Sequence, residues 1–236
     1  MSQMKRPLCS LIALSACSLF TACTKTMTHS SPTTASTLLL PAKHVERFEL
    51  AQPWFKENES QFRQGSVELQ WTPHALLVHA KLEDEQIYTS SDADNQHMWE
   101  LGDVFEVFLQ IEGHEDYFEL HITPANTRFH AHKPNVPGND PSSGEWKPID
   151  HWLVSLIGFD AQASPIEGGW QAALQIPPSV LGLESFAPGT EIRIAFARYD
   201  GAPQRQPTLS ASAPHALSDT ITFHIPEDWH RIVLNK

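Results

Sequence analysis

The chain has 236 residues, of which 41% are hydrophobic and 19% charged, and its formal net charge is −12. These values are typical of a globular protein with one sizeable domain. No basic cluster follows the N-terminal leader, and phosphates require Lys and Arg, so the composition argues against nucleic acid as a partner. The chain has 13 histidines, an unusually high number that makes metal binding and pH-dependent roles worth testing.

The three cysteines, Cys9, Cys17 and Cys23, all lie in the first two dozen residues. The rest of the chain therefore has neither a disulfide framework nor a thiolate metal site. A short basic region, a short apolar stretch and small residues follow one another here, which is the pattern of a secretory signal. Its end resembles a bacterial lipoprotein signal, in which a cysteine after small residues is acylated. We predict a signal peptide over residues 1–22 and lipidation at Cys23, with Cys17 as the alternative.

The segment that follows the signal, residues 23–43, is rich in Ser and Thr. Such a composition favours a flexible tether, and Leu38 to Leu40 could begin to pack on the edge of a domain. We therefore expect a folded domain over residues 44–236, held at the bacterial cell envelope by a lipid anchor, since two or three acyl chains bind a membrane stably.

The body of the chain shows short runs in which apolar and polar residues alternate, as in strands with one buried face. One exception is the stretch from Pro177 to Leu181, which reads as a single helical turn. About ten or more short strands separated by turn signals predict an all-β fold, an antiparallel, jelly-roll-like β-sandwich. The predicted strands cover residues 46–50, 66–71, 75–82, 103–111, 117–123, 127–132, 151–159, 169–176, 191–200, 220–225 and 231–234.

The most informative part of the sequence runs from Trp99 to His132. In its first two strands the apolar residues share one face, so Glu106, Glu119 and His121 share the other. In the third strand we place Phe129 inward and the neighbouring polar residues outward. The outer face would then carry a polar cluster with Trp99 at its entrance, either as an ordinary solvated surface or as a ligand-binding surface. The predicted cluster comprises Glu106, Gln110, Glu119, His121, Arg128 and His130.

A later strand, residues 191–200, adds Tyr199 to the same kind of outward-facing surface. Ala195 and Ala197 precede Tyr199 on that face. Two such small side chains would keep the surface shallow, as the floor of a groove requires.

Five stretches of the sequence resemble family 9 carbohydrate-binding modules and their wider DOMON-like relatives. They are LLVHAKLEDEQI, WELGDVFEVFLQ, DYFELHITPANTRF, GWQAALQIPPSVLG and IRIAFARYD, and the resemblance covers residues 45–234. The most specific piece is a Trp followed by Asp-x-x-Glu, here Trp99, Asp103 and Glu106. The resemblance implies a β-sandwich that binds sugars and has no catalytic activity of its own.

The resemblance also implies a binding site in which two tryptophans enclose a sugar ring and Glu, Arg and Asn side chains bind its hydroxyls. Trp99, Glu106 and Arg128 match the first tryptophan, the acidic residue and the basic residue. No tryptophan stands near residues 210–215, where the second is expected, and Trp146 is the candidate replacement. The predicted ligand-binding residues are Trp99, Glu106, Glu119, His121, Arg128, His130, Trp146 and Tyr199.

Other functions remain open on the sequence alone. Some DOMON-like domains bind haem for electron transfer, and here Met98 with His121 or His130 could supply the ligands. The protein could also be a structural or protein-binding sandwich that has lost sugar binding. Glu106 and Glu119 could act as the acid and base of a glycoside hydrolase, but we expect a protein that is not an enzyme.

Two metal sites are also conceivable. His121, His130 and His132 could hold zinc if they lie together. Asp84, Asp92, Asp94 and Asn95 offer the oxygen ligands that calcium prefers, although their spacing matches no EF-hand loop. We predict no cofactor, with calcium as the ion to test.

Overall fold

The structure, a computed structural model, describes residues 37–134 and 147–236. Cys17, Cys23 and Trp146 lie outside these residues. Twelve strands form in the described part of the chain. They are β1 (Leu38–Pro41), β2 (Glu46–Leu50), β3 (Gly65–Thr72), β4 (Ala75–Glu83), β5 (Val104–Ile111), β6 (Asp116–Ile122), β7 (Arg128–Pro134), β8 (Asp160–Ile166), β9 (Gly169–Ile176), β10 (Glu191–Ala202), β11 (Arg205–Ala211) and β12 (His230–Asn235).

The strands form two sheets, which confirms the predicted all-β sandwich. The seven-stranded sheet has the order β1-β12-β10-β5-β6-β7, with β11 also paired to β10, and the five-stranded sheet has the order β2-β3-β4-β9-β8. Neighbouring strands are antiparallel, apart from the parallel pair of β1 and β12. The predicted helical turn is confirmed as a 3-10 turn, Pro178–Leu181, and further single turns cover Met98–Glu100, Ile149–Trp152 and Pro226–Asp228.

The main core lies between the two sheets, because each sheet turns its alternate apolar residues toward the other. Val67, Leu69 and Trp71 from β3 meet Phe105 and Val107 from β5 in one buried cluster. Burial of each such side chain stabilises the fold by roughly 1.5–3 kcal/mol. None of the helical turns in the described residues is long and apolar enough to cross a membrane.

Three details of the predicted domain are corrected. The strand predicted at 151–159 is wrong, because the chain there turns at Ile149–Trp152 and continues irregularly until β8 begins at Asp160. The strand predicted at 220–225 is also irregular, and the strands β8 and β11 were missed. The folded domain begins before residue 44, since β1 pairs with β12 and Leu40 is fully buried.

Candidate functional site

The outer face of the seven-stranded sheet brings together the three central polar residues of the predicted site. The register of β5 and β6 places Glu106 directly opposite His121, and Glu119 lies two residues before His121 on the same face. All three side chains are almost completely buried, with exposed fractions of 4% for Glu106, 3% for Glu119 and 1% for His121. We call these three residues the polar floor.

The prediction that Arg128 and His130 share this face is wrong. The register of β7 places Phe129 opposite His121, so Phe129 belongs to the outer face, and its ring stacks on that of His121 at 4.5 Å. Arg128 and His130 therefore point to the side that faces the other sheet. The prediction failed because Phe129 is buried on the outer face as well. An apolar residue in an edge strand that is covered on both faces does not show which face lies toward the other sheet.

Arg128 and His130 instead hold neighbouring loops in place. Arg128 pairs with Asp94 at 3.3 Å, and its backbone N–H donates to the Asp94 carboxylate at 2.7 Å. The Nδ1 atom of His130 accepts a hydrogen bond from the backbone N–H of Gly158 at 3.1 Å. These contacts connect β7 to the chain on either side of it.

Acidic and basic groups form a continuous network through the polar floor. Nδ1 of His121 lies 3.5 Å from Glu106 Oε1, and its Nε2 lies 3.7 Å from Glu119 Oε2. Oε1 of Glu119 lies 3.2 Å from Lys133 Nζ and 3.1 Å from His224 Nδ1. The sequence analysis missed Lys133, because the predicted third strand ended at residue 132 and its outer face was assigned to the wrong residues. It missed His224, because nothing in the local pattern shows that a residue from the far C-terminal segment reaches β6.

The network holds its members in different protonation states. Burial raises the pKa of Glu106 well above its usual range, and the charge of Glu119 raises it further. Burial would also raise the pKa of Glu119, but His224, Lys133 and His121 outweigh it and hold that pKa well below its usual range. Burial lowers the pKa of His121 to about 3 against the attraction of Glu119. In the pH range between the pKa values of Glu119 and Glu106, Glu119 is therefore a carboxylate and Glu106 is protonated, and above about pH 3 the imidazole of His121 is neutral.

Part of the hydrogen-bonding capacity of the polar floor is unused. Neither ring nitrogen of His121 has a hydrogen-bond partner among the described residues. The Glu106 carboxyl lies 3.5 Å from His121, which is an ion-pair distance rather than a good hydrogen-bond distance. A buried polar atom without a partner costs about 1–3 kcal/mol, so these unused groups lower the stability of the fold.

Trp99 lies at the entrance to the polar floor, as predicted. It is half-buried in the turn Met98–Glu100. Its ring is stacked with that of His97 at 4.8 Å and meets His121 edge-on at 5.9 Å. Trp99 also borders an open cleft of about 190 Å³ that it shares with Tyr88 and the hairpin residues Gly201–Arg205. The indole ring of Trp99 thus lies between the solvent and the polar floor.

Asp103, the second residue of the Trp-Asp-Glu motif, has a structural role. It is fully buried, and its carboxyl group accepts hydrogen bonds from the backbone N–H groups of Tyr88 at 2.6 Å and Gly201 at 2.8 Å. Burial raises its pKa to about 8. A Cβ atom on Gly201 would lie only 2.7 Å from the backbone of Gly102, so glycine allows the close approach that these bonds fix. Asp103 therefore positions the turn that carries Trp99.

The shallow groove predicted over Ala195 and Ala197 is filled by the protein itself. Phe223 and Trp229 pack against both alanines, together with Phe108. The indole N–H of Trp229 donates to the backbone carbonyl of Phe223 at 2.9 Å, which fixes this arrangement. Tyr199, further along β10, is half-buried and meets Phe223 edge-on. Burial raises the pKa of Tyr199, as do the carboxyl groups of Glu106 and Glu119, which places its hydroxyl in the field of the polar floor.

The three histidines weighed for zinc, and Met98 with His130 as haem ligands, do not come together in the fold. His121 lies on the outer face of the seven-stranded sheet, whereas His130 and His132 lie on its other face. Met98 is fully buried in a small apolar cluster with Val104 and Phe129, on the side away from His130. The three histidines and the pair of Met98 and His130 therefore do not surround a common centre, whereas Met98 and His121 both border Phe129.

The residues weighed for calcium are divided between two places. Asp84 lies near Asp103 and Asp200, which is the one cluster of possible metal ligands in the described residues. Arg198, fully buried, pairs with Asp84 at 3.1 Å and with Asp200 at 3.3 Å, so a guanidinium already balances this charge. The other three residues, Asp92, Asp94 and Asn95, hydrogen-bond within and beside their own loop.

The two-sheet sandwich is similar in fold to solved structures of proteins to which carbohydrate binding is ascribed. No family model and no curated protein sequence matches the chain. Among solved structures, a Bacteroides uniformis protein to which carbohydrate binding is ascribed has a TM-score of 0.63 at 16% identity, over 84% of this chain and 97% of its own.

A family 9 carbohydrate-binding module from Caldicellulosiruptor kristjanssonii is also similar in fold. Its complex with cellotriose has a TM-score of 0.55 at 13% identity, over 85% of this chain and 94% of the module. Its complex with glucose has a TM-score of 0.54 at 12% identity, over 85% and 96% of the two chains. The resemblance to family 9 modules that the sequence indicated is thus confirmed at the level of the fold.

Proposed function

We propose that the protein is a non-catalytic carbohydrate-binding module whose site lies at Trp99, in the open cleft that this residue borders. The observation that carries the proposal is a half-exposed indole that borders an open cleft of about 190 Å³, whose lining includes the polar residues Tyr88, Ser90 and Gln204. A sugar ring fits this chemistry, because its C–H face packs on an aromatic ring while its hydroxyls both donate and accept. The solved family 9 complexes with glucose and cellotriose suggest a glucose-type ligand.

Binding without catalysis is favoured by the environment of the two carboxyl groups. Glycoside hydrolysis requires a pair of carboxyl groups on either side of a bound glycosidic bond. Glu106 and Glu119 are instead almost inaccessible to solvent and lie on either side of the His121 ring. Glu119 is further held by Lys133 and His224, so it is engaged within the protein.

Calorimetric titration with glucose, cellobiose and cellotriose tests the proposal. We expect saturable binding by the wild type. Trp99→Ala should lose about tenfold in affinity, because stacking of a sugar ring on an indole contributes on the order of 1 kcal/mol or more. Trp99→Tyr, which keeps an aromatic ring, should retain part of the affinity. Glu83→Gln, an exposed change at the end of β4, serves as the control.

Two results would contradict the sugar site. One is the absence of heat with every sugar from protein whose circular dichroism shows an intact fold. The other is equal affinity of Trp99→Ala and the wild type, which would place any sugar site elsewhere. The first result would favour a structural or protein-binding sandwich.

We also propose that the domain is presented at the cell envelope by a lipid on Cys23. The proposal rests on the basic and apolar leader and on the position of the three cysteines. Metabolic labelling of the full chain with a fatty-acid analogue should label the wild type and Cys17→Ala but not Cys23→Ala. Labelling of Cys23→Ala but not of Cys17→Ala would assign the anchor to Cys17 instead.

A further inference from the structure

A second concave surface lies on the opposite face of the sandwich from Trp99. The outer face of the five-stranded sheet holds an open groove of about 570 Å³, about three times the volume of the cleft beside Trp99. The side chains of β3, β4, β8 and β9 that line it alternate with residues of the main core, so the groove and the core occupy the two faces of one sheet.

The register of the strands gives this groove its shape. One row across the sheet consists of Gln70, Leu77, Gln175 and Asp160, and the next consists of Glu68, His79, Ala173 and Gln162. Leu77 and Ala173 stand in the centre and are apolar, whereas long polar side chains stand on both sides of them. We call this arrangement the amide trough. It crosses four strands, a span of about 14 Å at the usual spacing of strands.

The amide trough has little uncompensated charge. Glu68 pairs with Arg47 of β2 at 3.0 Å. His79 has a hydrogen-bonding contact with the side chain of Gln171 at 3.3 Å. Among the described residues, no hydrogen bond engages the side-chain amides of Gln70, Gln162 or Gln175, so these three groups are free to bind a ligand. Asp160 remains as one exposed carboxylate at the rim.

We propose that the amide trough binds a neutral glycan chain that lies across the strands. Each glutamine amide offers two donors and an acceptor, which matches the mixed donor and acceptor character of sugar hydroxyls. Leu77 and Ala173 provide an apolar strip on which the C–H face of a pyranose ring can rest. This second site stands apart from the Trp99 site and shares with it only the class of ligand.

Other ligand classes fit the amide trough less well. An acidic polysaccharide would meet Asp160 at the rim and a protein of net charge −12. A peptide added as a further strand needs an unpaired strand edge, but the central strands of the trough, β3, β4 and β9, are paired on both sides. A single sugar would use only part of a trough that crosses four strands, and among the described residues that line it there is no Trp, Tyr or Phe to hold one sugar ring firmly.

Affinity electrophoresis of the full chain in gels that contain mixed-linkage β-glucan, xylan or galactomannan tests the proposal. Two variants alter the trough while leaving its strands intact: the double change Gln70→Ala and Gln175→Ala, and Ala173→Lys, which places a long side chain over the exposed centre. Gln206→Ala, an exposed glutamine of β11 outside the trough, is the matched control. Trp99→Ala separates this site from the one proposed above.

At least one of these polysaccharides should retard the wild type, Gln206→Ala and Trp99→Ala, and both trough variants should bind it about tenfold more weakly. The same trough variants should bind glucose as the wild type does, because Trp99 is unchanged. Equal retardation of the wild type and the trough variants would overturn the proposal, as would failure of all three polysaccharides to retard the wild type. Loss of glucose binding in Trp99→Ala bears only on the Trp99 site.

Discussion

At the scale of single residues, the polar floor below Trp99 consists of polar groups that the fold buries next to one another. Glu106 and Glu119 lie on adjacent strands, on either side of His121, but their other charged neighbours differ. Glu119 is compensated by Lys133 and His224, whereas Glu106 has His121 alone within ion-pair distance among the described residues. The two carboxyl groups therefore differ in protonation, and this difference predicts how stability depends on pH.

We expect Glu106→Gln to gain stability relative to the wild type as the pH rises. Because burial and the charge of Glu119 raise the pKa of Glu106 above its ordinary value of 4.5, the folded protein keeps a proton that the unfolded chain releases. The wild type therefore loses stability above about pH 4.5, whereas glutamine cannot ionise. Urea unfolding at about pH 4.5, 6 and 7.5 measures the difference.

The exposed change Glu83→Gln is the control for that series. If its stability relative to the wild type follows the same trend with pH, or if the curve of Glu106→Gln stays parallel to that of the wild type, the assignment of a protonated Glu106 is wrong.

At the scale of single elements, β1 shows how a short strand completes a sheet. It pairs in parallel with β12, and the backbone carbonyl of Leu40 accepts a hydrogen bond from the indole N–H of Trp71 at 2.8 Å. This bond satisfies a buried donor of the five-stranded sheet with a group from the seven-stranded sheet. The first strand thus connects the two layers, although it follows a stretch with the composition of a tether.

Leu40→Ala should lower the free energy of unfolding by about 2–5 kcal/mol, because it removes a fully buried side chain from the main core. Leu39→Ala, its neighbour in β1 with a 62% exposed side chain, should have little effect. Thermal or urea unfolding of the two variants makes the comparison. Equal effects of both changes, or no effect of Leu40→Ala, would mean that β1 does not contribute to the folded domain.

At the scale of the whole molecule, the sandwich presents two unlike faces. The outer face of the seven-stranded sheet is largely covered, since Phe223, His224 and Trp229 pack over it. The outer face of the five-stranded sheet is open and lined with amides. Both proposed sites suit neutral ligands, and the net charge of −12 disfavours anionic ones.

Binding of neutral sugars should therefore change less than about twofold between roughly 0.05 and 0.5 M NaCl, because no ionic contact is formed that salt could screen. Calorimetry with the tightest-binding sugar at the two salt concentrations measures this. Polygalacturonate, a polyanion, should not bind even at the lower concentration. A steep fall in affinity with salt would show that charge, rather than hydroxyl recognition, drives binding.

The sequence by itself determined the all-β class and most of the strands, because alternation of apolar and polar residues depends only on which face of a strand is covered. It also placed Glu106, Glu119 and His121 on one face, since β5 and β6 are adjacent in the chain and joined by a short turn. Trp99 before this hairpin, with Asp103 and Glu106, indicated the family whose fold the structure shares. The ligand-binding roles of these residues stay predictions.

Only the tertiary structure decided which side of β7 faces outward, because both faces of that strand are covered and the apolar Phe129 suits either. Only it brought His224 to Glu119 across 105 positions of the chain and packed Phe223 over the alanines of β10. Such contacts join residues that are far apart in sequence, so the local alternation of apolar and polar residues does not predict them. The protonation states of the polar floor follow from those contacts and from burial, so they too were decided by the fold.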